Sequence, residues 1–533
     1  MSKVLFHTSP ALWPMVEIEL DIIQKELDKG NKVALIYCDG VQLACDANNP
    51  GIKQSKSKRI CMECISRRER AIDWLEPKQG ELIPIKYSTI SLEKDFQFLK
   101  TINHFKNNEI IKKHMDSKIP GVFDAAIASL MTNLRSSAPD IWKYKKKFYA
   151  YLKDAIFSYF LADSLIDRIK PKTVYIFNGR MAIYKPWVNL AKFLKIDFFV
   201  YEYPVIGYEN YLLHKNFTDQ DLSVRSFAYY DFYLDSKVSD LKKQIIGDFW
   251  FKNRIKRKRQ GFENVYSKFQ SLNKLPVDWD PKVFNLSFFV SSQDEINVLV
   301  NYSNNVASNQ IDLIKGIRNT FPNIHINVRI HPNLKGVDPD FVNELIALGE
   351  KGHVIIIKPE DDVDSYELIR RSNLIVSCGS TIGVEAAYLG TPSLLVGSSL
   401  FESFKCCIKA ENKILFYRVI RKSIQGDFSI FPDKELAKQE ALRFAWAFVN
   451  YGVKPKYFFR KNSYYEGMMI KNGIQEEIKA SSSIIIINRT LDLFSNLRVM
   501  TLRITRNPRQ YLNISSFTWK KLAHLIFPSI PRR

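Results

Sequence analysis

The chain has 533 residues, 46% of them hydrophobic and 25% charged, a balance that excludes a disordered tail, a collagen or a disulfide miniprotein and predicts about two or three globular domains. Lys and Arg number 78 against 56 Asp and Glu, a formal net charge of +22, so the surface field favours polyanions, anionic lipids or phosphorylated small molecules without choosing among them. The apolar stretch after Lys3 is too short for a secretion signal, and no apolar run approaches the ~18 residues of a membrane span. The protein is expected in the cytoplasm, with peripheral contact at the inner membrane face left open.

In chain order, Val4-Leu-Phe, an amphipathic stretch from Met15 to Lys29 and a second apolar run, Val33-Ala-Leu-Ile-Tyr, predict a β-α-β unit. Val16, Leu20, Ile23 and Leu27 repeat at helical spacing, and Gly30 stands where a helix-ending glycine belongs. A helix pair or one long helix over Ile141 to Ile169 precedes a second unit: Thr173 to Phe177, a helix from Met181 to Leu194, and Asp197 to Tyr201. Continuous apolar strands suit a parallel sheet covered on both faces. Trp250 to Pro276 carries Lys252, Arg254, Lys256, Arg257, Lys258 and Arg259 and reads as a basic helix leading into an interdomain linker. Alternation then resumes: strands at Val283–Val290, Ile324–Ile330, Val354–Ile357, Leu374–Ser377 and Ser393–Val396, with helices at Val306–Thr320, Pro339–Glu350, Ser365–Arg371 and Ile382–Leu389. The fold class is α/β, with an amino-terminal Rossmann-like domain over 1–265, a second over 266–480 and a basic tail over 481–533, the two domains facing a cleft.

The most informative stretch is Val328-Arg-Ile-His-Pro followed by Ser377-Cys-Gly-Ser-Thr-Ile-Gly-Val-Glu-Ala. A strand ending at Ser377 delivers Gly379, Ser380 and Thr381 to a helix start, where free N–H groups and the positive dipole end attract phosphate. Glu385, one turn into that helix, can accept ribose hydroxyls, and Arg329 and His331 stand at the carboxyl end of another strand, the edge where α/β sheets bind ligands. Taken singly, Ser380 is also an ordinary N-cap, Glu385 a solvated first-turn acid and His331 a strand-end histidine. Together, their order and spacing over about Phe284 to Gly397 resemble the carboxyl-terminal domain of GT-B glycosyltransferases, particularly those of bacterial capsule and surface-polysaccharide synthesis. The resemblance implies a nucleotide-sugar donor facing the His-Pro and Gly-Ser-Thr segments, with Ser291 and Ser292 near its diphosphate, and no catalytic metal. Asp362-Val-Asp364 mimics a DxD metal motif, a role the resemblance argues against.

On the acceptor side, the Asn178-Gly-Arg180 strand end and the Tyr201-Glu202 strand end extend the resemblance to surface-carbohydrate synthesis proteins. Arg180 can pair with phosphate or carboxylate, and Glu202 can take a proton from an acceptor hydroxyl; a structural Arg–Glu pair across strand ends is the alternative. His7, Glu17 and Glu19 occupy the place where such amino-terminal domains often hold their base, although a glutamate on an amphipathic helix is usually only solvated. Four of seven cysteines, Cys38, Cys45, Cys61 and Cys64, fall within one short window, enough for a structural zinc site, with an iron–sulfur cluster or reduced free thiols as alternatives. Cys378, Cys406 and Cys407 read as packing residues.

Arg489 to Arg533 carries nine basic residues against Asp492, interleaved with aromatic and aliphatic side chains. That pattern suits an anionic membrane surface and a lipid-linked glycan acceptor, while no recognition module supports nucleic-acid binding. The reading is a glycosyltransferase moving a sugar from a nucleotide sugar to a surface or capsular glycan. A sugar-nucleotide 2-epimerase and a non-catalytic zinc-stabilised scaffold are the alternatives.

Overall fold

The structure, a computed structural model, describes residues 2–45, 54–90, 108–117, 119–203, 210–260, 265–299, 305–349, 354–462 and 466–488. The basic tail from 489 onward lies outside the described residues. No helix among the described residues is long and apolar enough to cross a membrane.

Two six-stranded sheets form the frame. The first runs in the order β3(Glu81–Lys86), β2(Lys32–Tyr37), β1(Lys3–His7), β4(Thr173–Phe177), β5(Asp197–Glu202), β6(Leu212–Lys215). All its pairings are parallel except β5 with β6. The second sheet contains β7(Asn285–Phe289), β8(His325–Arg329), β9(Val354–Ile357), β10(Leu374–Ser377), β11(Ser393–Val396) and β12(Ile408–Ala410), in the order β12-β11-β10-β7-β8-β9. Every pairing there is parallel. In both sheets the strand order reverses beside the first strand, between β1 and β4 and between β7 and β10, which is the doubly wound Rossmann topology. The two-domain α/β expectation therefore holds. Strands such as β10 and β11 are buried at every residue, as continuous apolar runs in a doubly covered parallel sheet require.

Local chemistry accounts for where the expected helices start. The helix expected from Met181 begins at Lys185, with Pro186 in its first turn where a missing N–H costs nothing. The helix expected from Val306 begins at Gln310, because Asn309 caps it by accepting the Asp312 N–H. The largest correction concerns the basic stretch. Its helix runs from Asp240 to Ile255 rather than starting at Trp250, and Trp250 and Phe251 are each 1% exposed.

That helix and its predecessor, Leu222–Asp235, pack against helix Lys434–Asn450 in one aromatic-rich core with Val384, Leu395 and Phe401 of the second unit. After Asn450 the chain returns. Tyr211 and Val453 exchange backbone hydrogen bonds of 3.0 and 2.8 Å, and Phe458, Met469 and Ile478 join Val4, Phe6 and Val16 in the core of the first unit. The chain thus crosses between units near 216–221 and again near 450–453, and neither crossing is anticipated by boundaries at 265 and 480. A helical insert between β3 and β4, including Val122–Leu134 and Lys145–Ile169, carries its own apolar core.

Candidate functional site

A cavity of about 320 Å³ opens at the carboxyl ends of β7 and β10, where the strand order of the second sheet reverses. That volume lies within the ~300–1,000 Å³ of small-molecule sites. After β10, Gly379 turns the chain with φ +76°, and a Cβ there would stand 2.8 Å from the Ser398 carbonyl oxygen, so this approach of two strand-end loops requires glycine. Ser380 and Thr381 then line the cavity at the start of helix Ile382–Leu389.

Arg254 enters the same cavity from a distant part of the sequence. Phe251 stacks on Tyr388 with ring centroids 4.2 Å apart, and Tyr388 donates to Asp248 at 2.8 Å. These contacts lay the end of helix Asp240–Ile255 along helix Ile382–Leu389. One turn beyond Phe251, Arg254 Nη2 donates to Glu385 Oε1 at 2.9 Å and to Thr381 Oγ1 at 3.3 Å. Thr381 Oγ1 also donates to Glu385 at 3.0 Å, and the Tyr366 hydroxyl donates to Oε2 at 2.7 Å. Glu385 is 1% exposed and already accepts three hydrogen bonds, so it organises the cavity wall rather than presenting a free carboxylate to a ribose. The lining cations are Arg254, Lys258 and Arg329, against Glu385 as the one lining acid among the described residues.

The other expected donor-side residues divide by role. Arg329 is 2% exposed and donates from Nη1 to the carbonyls of Lys358 and Asp361, both at 3.1 Å. Desolvation lowers its pKa to about 10. It braces the loop after β9 while bordering the cavity. His331 lines the cavity under the edge of Tyr266, with ring centroids 4.7 Å apart, and its Nδ1 faces Asn333. Burial, with Arg329, Arg254 and Arg135 adding to it, pulls its pKa down to about 4, so at neutral pH it is a neutral imidazole and not a fixed cation for a diphosphate. Ser291 and Ser292 hold neighbouring loops instead of lining the cavity: Ser291 donates to the Cys378 carbonyl at 3.0 Å, and Ser292 to Asn333 at 3.2 Å. Asp362 pairs with Lys274, while Asp364 caps helix Ser365–Arg371 and pairs with Arg257.

The carboxyl edge of the first sheet carries the acceptor-side candidates. Asn178, held at φ +54°, donates from Nδ2 to Glu202 Oε2 at 2.6 Å, and Glu202 accepts the Tyr203 N–H at 3.1 Å. Burial, then the nearby Asp219 charge, raises the Glu202 pKa to about 8 against weaker opposition from Asn178 and Arg180. Arg180 lies within electrostatic range of Glu295 on the second unit. Arg135 ties the units together beside it, reaching Asp294 at 3.1 Å and Glu295 at 3.3 Å.

The remaining base candidates are placed elsewhere. His7 is fully buried among Tyr87, Tyr184 and Trp187, and desolvation drops its pKa to about 3. Glu19 is fully buried against Arg68 at 2.5 Å and accepts from Tyr201 and the Ser9 N–H. Glu17 pairs with Arg67 at 2.5 Å beside a different cavity. None of the three lines the cavity that holds Ser380. The four clustered cysteines line yet another cavity, at the ends of β1 and β2. Cys378 and Cys406 are buried packing residues, as expected.

Arg254 and Lys258 were read from the sequence only as part of a basic helix, and Tyr266 and Tyr366 not at all, yet all four line the cavity. The available signal was the spacing of Phe251 and Arg254 on one helix, which tells that the basic run has a buried face.

No family model matches the chain, and no curated protein matches its sequence. Among solved structures, the chain is similar to the β-Kdo 2,7 transferase of Thermosulfurimonas dismutans KpsC, at 14% identity over 65% of this chain and 95% of that one, with a TM-score of 0.32. It is also similar to the UDP-GlcNAc 2-epimerase of Neisseria meningitidis bound to UDP-GlcNAc (12% identity, 82% and 94% covered, TM-score 0.26) and to CalG4, the calicheamicin glycosyltransferase (9% identity, 84% and 95% covered, TM-score 0.25). Likeness of this degree decides neither fold nor activity, which rest on strand order and on the site.

Proposed function

We propose that the protein is a glycosyltransferase that moves a sugar from a nucleotide sugar to an acceptor hydroxyl across the cleft, the acceptor being a surface glycan carried on lipid or polysaccharide. The observation that carries this reading is the pairing of a helix start at Gly379-Ser380-Thr381 with Arg254 and Lys258 in one cavity at the topological switch point of the second sheet. Such a wall is matched to a diphosphate, whose charge grows as the bond from the sugar carbon to phosphate oxygen breaks. His331, neutral and bordering the cavity, serves as a hydrogen-bond partner for a donor oxygen. The acceptor oxygen forms the new bond to the sugar carbon, and its proton passes to a carboxylate, for which Glu202 on the opposite edge is the candidate. A membrane-bound acceptor is favoured by the basic, aromatic-rich sequence of 489–533.

The test is equilibrium binding of UDP-, GDP-, CMP- and dTDP-linked sugars, followed by product analysis with and without acceptor. Selective binding by one nucleotide class is expected, with affinity reduced about tenfold or more, ~1.4 kcal/mol, in Lys258→Ala and in Thr381→Val. Lys258 is exposed, so its removal leaves the fold intact, whereas Glu385→Ala would strand the Arg254 cation and confound the readout. Absence of binding to every nucleotide sugar would sink the reading, and turnover without any acceptor would replace transfer with isomerisation.

A further inference from the structure

We propose that Cys38, Cys45, Cys61 and Cys64 ligate an iron–sulfur cluster at the carboxyl edge of the first sheet. The four thiols reach one place from three directions. Cys38 follows the end of β2, Cys45 lies on the loop beyond it, and Cys61 and Cys64 stand three residues apart on one face of helix Gln54–Trp74. All four border a single cavity of about 360 Å³. Gly40, at φ +100°, folds the loop onto the helix, its Cβ direction ending 3.8 Å from Cys61 Sγ.

Two backbone amides point at the sulfurs. The Ala11 N–H donates to Cys64 Sγ at 3.1 Å, and the Gly40 N–H donates to Cys38 Sγ at 3.4 Å; amides aimed at ligating sulfurs are the usual outer support of such centres. Arg68, one turn beyond Cys64, is paired with Glu19, and Lys58 is the other cation of a lining that contains no Asp, Glu or His among the described residues. A lone tetrahedral zinc would draw its ligands to ~2.3 Å from one point. Among the described residues no three His, Cys, Asp or Glu stand grouped closely enough to hold a metal ion, while all four cysteines border one cavity. Four cysteines spread along the wall of one cavity, instead of converging on a point, are matched by a polynuclear iron–sulfide core, which is larger than one ion.

The test uses the full chain, expressed with added iron and cysteine and purified without oxygen. The expected result is at least ~2 iron atoms per chain with matching acid-labile sulfide, together with visible sulfide-to-iron charge-transfer absorption. Both should fall at least tenfold in the Cys61→Ser/Cys64→Ser double variant and persist in Cys407→Ser, with circular dichroism verifying that each variant is folded. The wild-type metal content decides even if the double variant fails to fold. About one zinc per chain without iron, or a wild-type protein that stays metal-free after reconstitution with ferrous iron and sulfide, would overturn the assignment.

Discussion

At the scale of single residues, Glu202 is the group whose protonation matters most. Its carboxyl is held at about 8, against an ordinary 4.5, chiefly by burial and secondarily by Asp219. The folded protein therefore keeps a proton through a pH window in which the unfolded chain has released it, so stability falls as pH rises from about 4.5 to 8. Urea-unfolding midpoints of wild type and Glu202→Gln, measured across that window, should diverge, with the steeper loss in the wild type because buried Glu17 and Asp154, also raised, titrate in both; parallel profiles would show that Glu202 does not titrate there. If Glu202 takes the acceptor proton, turnover should climb towards the same upper pH in the wild type, because only the ionised carboxylate can act. The motif Gly379-Ser380-Thr381 was legible in the sequence because strand, turn and helix start are contiguous there. Glu385 was legible as a site residue but not in its role, since Arg254 and Tyr366, which occupy its oxygens, come from elsewhere in the chain. His7 and Glu19 read as chemistry because the sequence shows their residue type and their place at the end of the first strand and on the helix after it, but not the aromatic box or the buried Arg68 that enclose them.

At the scale of elements, the site depends on how helix Asp240–Ile255 lies against helix Ile382–Leu389. Phe251 sets that register through its stack on Tyr388, and Arg254 is aimed only as a consequence. Phe251→Ala removes a fully buried ring and should cost about 3–5 kcal/mol. It should also weaken nucleotide-sugar binding although Phe251 does not line the cavity; thermal unfolding and binding titration together check this. Unchanged affinity in a folded variant would separate Arg254 from its helix packing. Strands and most helices of the second unit were readable because their apolar periodicity is local. The antiparallel β6, the edge strand β12 and the return segment after Asn450 were not, because what holds them is pairing with partners far away in sequence.

At the scale of the whole molecule, the first unit is completed by residues that follow the second. Met469 is fully buried in the core containing Val4, Phe6 and Val16. Met469→Ala should therefore destabilise the first unit by about 2–5 kcal/mol while leaving nucleotide-sugar affinity at the second unchanged, as read by denaturant unfolding alongside binding. Stability equal to wild type would show that the return segment contributes nothing to that core.

The two crossings lie side by side, joined through Tyr211 and Val453, with His214 stacked near Tyr451 at 6.1 Å. A joint made of two chain segments side by side resists twisting more than a single tether does. The Arg135 ion pairs to Asp294 and Glu295 add a further link between the units, away from that joint in sequence. Because helix Asp240–Ile255 packs on helices Ile382–Leu389 and Lys434–Asn450, Arg254 and the donor wall it completes belong to one body, on the same side of that joint.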